Sequence, residues 1–175
     1  MPGKIYAVID TNVIVSALFA LNGSSNPAQV IRKVIDGTIV PLYNEQIISE
    51  YYEVLTRDKF PFKISDIEYV MKIFTKYGLS LEGTTPTEES IPDKDDIVFY
   101  EVAFSKDGSY LVTGNIRHFP KKAFVVTPAE MMQIIKTMEH SDPKLLNDPQ
   151  GPYGSLDASC RAYKHTRWAK ILPTV

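Results

Sequence analysis

The segment KIYAVIDTN, residues 4–12, decides the fold. Its first six residues form a short apolar run with β-branched side chains, which is typical of a strand buried inside a sheet. The run stops at Asp10, and Thr11 or Asn12 is available to cap the apolar helix that follows. We therefore predict a buried strand that ends on an acid.

Strands and helices alternate along the chain after this segment. The patterns predict strands at 39–42, 110–113 and 123–126, and helices that begin near Asn26, Asn44, Ser65, Asp95 and Thr127. Pro41 counts against full pairing of the second strand. The alternation favours an α/β fold with a central parallel sheet.

Local signals mark the ends of several helices. The stretches 65–68 (SDIE) and 127–130 (TPAE) match the capping box, in which a hydroxyl residue and a glutamate three positions later satisfy each other's backbone N–H groups. Gly78 is predicted to be the C′ glycine that ends the helix before it.

The composition excludes several classes of protein. The 175 residues contain one cysteine, Cys160, which excludes a disulfide framework and a Cys-rich zinc site. The only long apolar stretch contains Asp10, so we expect no signal peptide, no membrane partner and a cytoplasmic location. The net charge of −2 disfavours a basic nucleic-acid binder of the usual kind.

The C-terminal segment differs from the rest of the chain. Residues 1–140 carry 14 basic and 18 acidic residues, whereas residues 141–175 carry five and three. We predict one domain over 1–140 and a partly basic C-terminal extension over 141–175 that docks on the domain or is flexible.

Several acids are expected to meet at one edge of the sheet, since ligands of an open parallel sheet lie outside the carboxyl ends of its strands. Asp10 ends the first strand, and Asp95 and Asp96 open a helix at the same edge. Glu50 lies at the margin of an apolar helix stripe, whereas Glu53 lies further toward the polar side.

Acids gathered in this way need a counter-charge. Two unit charges about 5 Å apart repel by roughly 3 kcal/mol at an effective dielectric of about 20. Oxygen ligands without paired Cys or His favour Mg²⁺ or Mn²⁺, and such a site suits hydrolysis of a phosphodiester.

Each acid also has a purely structural interpretation. Asp10 can cap the first helix, Asp95 and Asp96 suit the positive end of a helix dipole, and a helical Glu50 is an ordinary surface residue. Only their combination favours a functional site.

Four stretches of the sequence resemble the acidic motifs of PIN-domain nucleases, most closely those of a bacterial group described as toxin components of toxin–antitoxin modules. The stretches are IYAVIDTNVIVSAL (5–18), IISEYYEVLTRDKF (47–60), PDKDDIVFYEVA (92–103) and YLVTGNIRHFP (110–120). The resemblance implies a parallel sheet of about five strands flanked by helices on both faces. It also implies an acidic pocket that binds Mg²⁺ or Mn²⁺ and cleaves single-stranded RNA.

The resemblance carries over to particular residues. It implies that Asp10, Glu50 and Asp96 hold the metal and that Asn115 assists them. Asp93 and Asp95 are neighbours that could replace Asp96. The resemblance also implies supporting roles for neighbouring residues, which are Thr11, Asn12, Asp95 and Thr113. Asn115 stands where the family often has an acid, and because an amide brings no charge, we expect weaker metal affinity and one cation rather than two.

Basic residues near this edge are candidates for RNA binding. Arg117 and His118 follow the fourth motif, where Arg offers bidentate donors to phosphate; a salt bridge and a surface histidine are the alternative. Arg161, Lys164 and Arg167, with Tyr163 and Trp168 interleaved, suit a phosphate backbone and stacked bases. The alternative for this run is an arm that packs on the body or on a second subunit.

Three functional hypotheses follow. The first is a metal-dependent endoribonuclease, the toxin of a toxin–antitoxin module, with single-stranded RNA, a cognate antitoxin protein and a second copy of the chain as partners. The second is a PIN fold that binds RNA or protein without hydrolysis, which Asn115 and the acidic net charge motivate. The third, a receiver or phosphatase domain, is disfavoured because the stretch 10–12 contains no acidic pair and no Asp-x-Asp.

Overall fold

The computed structural model describes residues 4–20 and 23–141. Of the predicted extension over 141–175, Ser141 ends the last helix, and residues 142–175, with Arg161, Lys164 and Arg167, lie outside the described residues. The strands are β1 (Ile5–Ile9), β2 (Ile39–Tyr43), β3 (Leu79–Ser80), β4 (Tyr110–Val112) and β5 (Val125–Val126). The helices are α1 (Thr11–Phe19), α2 (Asn26–Ile35), α3 (Glu45–Leu55), α4 (Ile64–Tyr77), α5 (Lys94–Phe104) and α6 (Pro128–Ser141). None of the helices in these ranges is long and apolar enough to cross a membrane.

The five strands form one sheet in which every pairing is parallel. The strand order is β3-β2-β1-β4-β5, so β1 lies at the centre. Ile5 is in register with Ile39 on one side, and Ile9 with Val112 on the other. This topology confirms the predicted α/β fold with a parallel sheet.

The central strand is covered on both faces. Consecutive side chains of a strand point to opposite faces of the sheet. Ala7, Val8 and Ile9 are consecutive, and none of them has measurable solvent exposure. Helices therefore cover both faces of the sheet at β1, which explains why the strand reads as an unbroken apolar run.

The short strand β3 lies at the edge of the sheet and was not predicted from the residue pattern. Its two residues are exposed and pair with Leu42 and Tyr43 of β2. Pro41 is in register with Ala7 of β1 on one side. On the other side the pairing with β3 begins only at Leu42, so Pro41 has no partner in β3. Strand β2 thus contains the proline that was expected to disfavour full pairing.

One predicted capping box and one predicted glycine conformation are wrong. Helix α4 begins at Ile64 after Lys63 and has no side-chain cap, so the stretch 65–68 is not a capping box. Gly78 has a φ of −82°, outside the left-handed region of a C′ glycine. A Cβ on Gly78 would lie 2.3 Å from the Phe74 carbonyl oxygen and 2.6 Å from that of Pro41. Close packing of α4 against β2, rather than backbone handedness, requires glycine there.

The other capping box is present as predicted. Thr127 Oγ1 accepts from the Glu130 backbone N–H at 3.2 Å, and the Glu130 carboxylate accepts from the Thr127 N–H at 2.7 Å. These bonds satisfy backbone donors at the start of α6.

Candidate functional site

The candidate site lies where β1 and β4 end side by side. Ile9 and Val112 are in register, and the next backbone contact runs from the Asp10 N–H to the Val112 carbonyl oxygen at 2.9 Å. Because both strands run in the same direction, the residues that follow them emerge at one edge. This edge brings Asp10 next to Thr113.

Asp10 is buried, with 5% of its surface exposed, and its carboxylate is held mainly through one oxygen. Oδ2 accepts from Thr113 Oγ1 at 2.6 Å and from Asn12 Nδ2 at 2.7 Å. Oδ1 accepts only the longer bond from the Asn12 backbone N–H at 3.3 Å, which makes Asp10 the cap of α1. Asp10 therefore caps α1, which is the structural role considered for it above. Its Oδ1 atom can still accept a further hydrogen bond or bind a cation.

Asn12 links the two loops of the site. Its side-chain oxygen accepts from the Gly114 N–H at 2.9 Å, while its amide nitrogen donates to Asp10. Thr113 Oγ1 accepts from the Asn115 N–H at 2.9 Å. Asn12 and Thr113 thus hold the loop after β4 against Asp10.

Thr11 and Tyr51 lie beside Asp10, and their hydroxyl groups differ in hydrogen bonding. The Thr11 hydroxyl is buried and has no hydrogen-bond partner among the described residues, so the structure shows no bond through which it supports Asp10. The Tyr51 hydroxyl donates to the Ile9 carbonyl oxygen. Burial, with the nearby charges of Asp10 and Glu50, raises the pKa of Tyr51 well above 10.0. No pattern in the sequence indicates this bond.

The third acid, Asp96, is joined to Asn115 through His118. Asp96 lies in the first turn of α5, where Asp93 caps the helix by accepting from the Asp95 N–H at 3.0 Å. The Asp96 carboxylate lies 3.0 Å from His118 Nδ1, and His118 Nε2 lies 2.7 Å from Asn115 Nδ2. A short 3₁₀ turn, Ile116–His118, carries the histidine back toward the acid.

Glu50 and Asp95 complete the acidic edge without hydrogen bonds between their side chains. Glu50 is half-buried on α3, whereas Glu53 is exposed and pairs with Arg57 at 3.0 Å. The inward choice of Glu50 over Glu53 agrees with these exposures. Asp95 is exposed, and its charge acts on Glu50.

Burial first, and neighbouring acids second, raise the pKa of three carboxyl groups at this edge. Burial raises the pKa of Asp10 above its ordinary value of 3.8, and the charge of Asp96 raises it further, against the lowering effect of the Thr113 bond. Burial and the charge of Asp95 raise the pKa of Glu50. Burial also raises the pKa of Asp96, and the His118 hydrogen bond opposes this shift. The edge therefore has excess negative charge that a cation would stabilise.

Comparison with known proteins adds a family to this geometry. A family model described as PIN domain matches residues 6–117, which is more than half of the chain and covers the second and third motifs completely and most of the first and fourth. The chain belongs to the PIN-domain family. Neither the curated proteins nor the solved structures contain a match to it. PIN domains are generally nucleases, so the family indicates a nuclease-type function.

The donor chemistry of this PIN domain fits a hard divalent cation. Across residues 4–20 and 23–141, no three His, Cys, Asp or Glu side chains converge into a ready metal cluster. Mg²⁺, however, is commonly held by one or two carboxylates and keeps several waters. Asp10 Oδ1 and the unpartnered, buried Thr11 hydroxyl provide oxygen atoms of the required kind.

Of the predicted RNA-contacting residues, two lie within the described part of this PIN domain. Arg117 is exposed and forms no ion pair with any residue that the structure describes. His118 is engaged by Asp96 and Asn115. Arg117 thus forms no salt bridge within the described residues, and His118 is hydrogen-bonded to two side chains of the site.

Proposed function

We propose that this protein is a metal-dependent endoribonuclease that cleaves single-stranded RNA. The observation that carries the proposal is the state of Asp10, a buried carboxylate at the strand edge whose pKa is raised both by burial and by Asp96. Folding a charge of this kind into a site with a second acid costs stability unless a cation offsets it. Such costs are tolerated where function needs them.

Different residues of the site would bind the cation and orient its ligands. Asp10 and Asp96 would hold a divalent cation, Mg²⁺ or Mn²⁺, with Glu50 at the margin of the site. When bound, such an ion activates water and neutralises negative charge on a phosphodiester during hydrolysis. Asn12 and Thr113 would keep the Asp10 carboxylate in one orientation, and Asn115 would offer a neutral oxygen.

The RNA would approach this edge from the side of Arg117. An exposed guanidinium without an ion-pair partner in the described chain can bind a phosphate bidentately without first losing another contact. The basic residues Arg161, Lys164 and Arg167 are proposed to extend the contact along the strand. Because these three lie outside the described residues, their role is proposed from charge alone.

The cellular role proposed for the enzyme is that of a toxin in a toxin–antitoxin module. This role comes from the resemblance of the four motifs to the bacterial group described in that way. It carries three further proposals: a cognate antitoxin protein that blocks the site, assembly of the chain into a homodimer or higher homo-oligomer, and a cytoplasmic location.

The activity is tested with a labelled single-stranded RNA. We expect cleavage with Mg²⁺ or Mn²⁺, none with EDTA, and none by an Asp10→Asn variant prepared in parallel. Asp58→Asn is the matched control, since Asp58 is exposed and has no hydrogen bond in the described structure. Equal cleavage by wild type and Asp10→Asn would identify a contaminating nuclease and refute the proposal.

A second candidate is a PIN domain that binds RNA without cleaving it. Two observations favour it: Asn115 brings no charge to the fourth position, and the described residues contain no ready metal cluster. RNA binding that EDTA leaves unchanged, without cleavage over hours, would support this candidate against the first.

A further inference from the structure

We propose that His118 is a positioning residue that holds Asp96 and Asn115 together as one unit of the site. This inference rests on the proposed function, because the unit would serve the cation and the phosphate. It differs from the sequence prediction, in which His118 contacts RNA directly. The ring of His118 spans the gap between the third acid and the amide at the fourth position.

The hydrogen-bond inventory fixes how the ring is used. A side-chain amide nitrogen donates and does not accept. The 2.7 Å contact with Asn115 Nδ2 therefore makes His118 Nε2 an acceptor. The ring hydrogen then lies on Nδ1, which donates to the Asp96 carboxylate at 3.0 Å. Both ring nitrogens are engaged in this way, and neither is left for a phosphate oxygen.

The same bridge determines which atom Asn115 presents. Its backbone N–H donates to Thr113 Oγ1, and its side-chain nitrogen donates to His118. Its side-chain oxygen has no hydrogen-bond partner among the described residues. This oxygen is the acceptor that an amide can offer in place of a carboxylate. A carboxylate at this position would need no orientation of this kind, since its two oxygens are equivalent.

The exposure of His118 allows an effect on function to be separated from an effect on stability. The His118 side chain is 47% exposed, whereas the Asp96 side chain is 17% exposed. Substitutions at half-exposed positions change stability little unless they break a special feature. Loss of function after His118→Ala can therefore be separated from loss of the fold by measuring unfolding in parallel.

The first measurement reads the bridge directly. Nitrogen-15 NMR of the full, metal-free chain reports which ring nitrogen carries hydrogen, and the His118→Gln spectrum assigns the signal among the three histidines. We expect hydrogen on Nδ1 and a bare Nε2. Hydrogen on Nε2 would overturn the bridge.

The second measurement uses Mn²⁺ binding followed by electron paramagnetic resonance. Groups that hydrogen-bond a metal ligand typically contribute about 10–100-fold to metal affinity. His118→Ala should weaken Mn²⁺ binding by about this factor, while RNA affinity in EDTA stays unchanged. Lys121→Ala, an exposed neighbour in the next loop, is the control and should bind Mn²⁺ like the wild type. Unchanged Mn²⁺ affinity with weakened RNA binding would instead assign His118 to RNA contact and overturn the proposal.

Two conservative variants separate the halves of the bridge. His118→Asn places an amide near the position of Nδ1 and can still donate to Asp96, whereas His118→Gln places one near Nε2 and can still accept from Asn115. We expect His118→Asn to recover more Mn²⁺ affinity than His118→Gln, because the carboxylate carries the charge. If neither variant binds better than His118→Ala, positioning is refuted. If the wild type itself binds no Mn²⁺, the proposed function fails, and the NMR measurement still decides the bridge.

Discussion

Thr113→Val tests whether the Asp10 carboxylate is held as described. Thr113 is fully buried, and its hydroxyl donates to Asp10 at 2.6 Å while it accepts from the Asn115 N–H at 2.9 Å. Valine has almost the same shape as threonine but lacks the hydroxyl, so the change leaves the packing and removes both of these bonds, together with the longer one that the hydroxyl accepts from Asn12 Nδ2 at 3.4 Å. A buried carboxylate then loses its shortest hydrogen bond.

The expected cost follows from the two bonds. A hydrogen bond to a charged group contributes about 1.5–3 kcal/mol and a neutral one about 0.5–1.5 kcal/mol. Thr113→Val should therefore lower the free energy of unfolding by about 2–4.5 kcal/mol near neutral pH. Thr113→Ser keeps the hydroxyl and loses one buried methyl group, which costs about 0.8 kcal/mol.

The assay is urea unfolding of the metal-free protein in EDTA, with both variants measured at neutral and acidic pH. The gap between the two variants should shrink as the pH falls, because a protonated Asp10 forms a weaker, neutral hydrogen bond. Thr56→Val, which removes a hydroxyl from the end of α3, is the control for the substitution itself. A Thr113→Ser variant that is as unstable as Thr113→Val at neutral pH would refute the assigned bond.

Three further predictions concern other features. The folded-state pKa values of Asp10, Glu50 and Asp96 are raised, so the folded protein binds more protons than the unfolded chain above the ordinary values of 3.8 and 4.5. The metal-free protein should consequently lose stability as the pH rises above these ordinary values and through the raised pKa values of the folded state. Mn²⁺ should restore the lost stability at neutral pH. A free energy of unfolding in urea that does not change with pH would contradict the shifts. Gly78→Ala should destabilise by about 1–3 kcal/mol or more in the same assay, because its Cβ would overlap two carbonyl oxygens, and a neutral effect would contradict the packing. Arg117→Ala should weaken RNA binding in EDTA and reduce the slope of log affinity against log salt by about 1, and an unchanged slope would exclude a phosphate contact.

The sequence predicted the centre of the fold because its signals there are local and agree. The apolar run of β1 is buried on both faces, and Asp10 stops it where the strand ends. The capping box at 127–130 also formed as predicted, because both of its halves lie within one turn.

Tertiary packing overrode other local signals. In the stretch 65–68, Ser65 lies inside α4, which begins at Ile64, and Asp66 is buried in its first turn. Strand β3 has two residues and therefore no alternation that a pattern could detect. Gly78 ends α4 as predicted, but close contacts with β2 and α4, not a left-handed conformation, require glycine there.

At the site, the acids were predictable and their connections were not. Asp10, Glu50 and Asp96 follow from strand ends, helix starts and the four motifs. The contact between Asp96 and His118 joins residues 22 positions apart and depends on the 3₁₀ turn at Ile116–His118. No periodicity in the sequence predicts that turn. No sequence pattern predicts the hydrogen bond from the Tyr51 hydroxyl to the end of β1 either.

The central claim is that the acidic edge at Asp10 and Asp96 is a divalent-cation site. Its most direct test is a Mn²⁺ titration followed by electron paramagnetic resonance for the wild type, Asp10→Asn and the Asp58→Asn control. We predict a single bound Mn²⁺ for the wild type and the control and none for Asp10→Asn. Equal binding by all three proteins, or by none, would contradict the account.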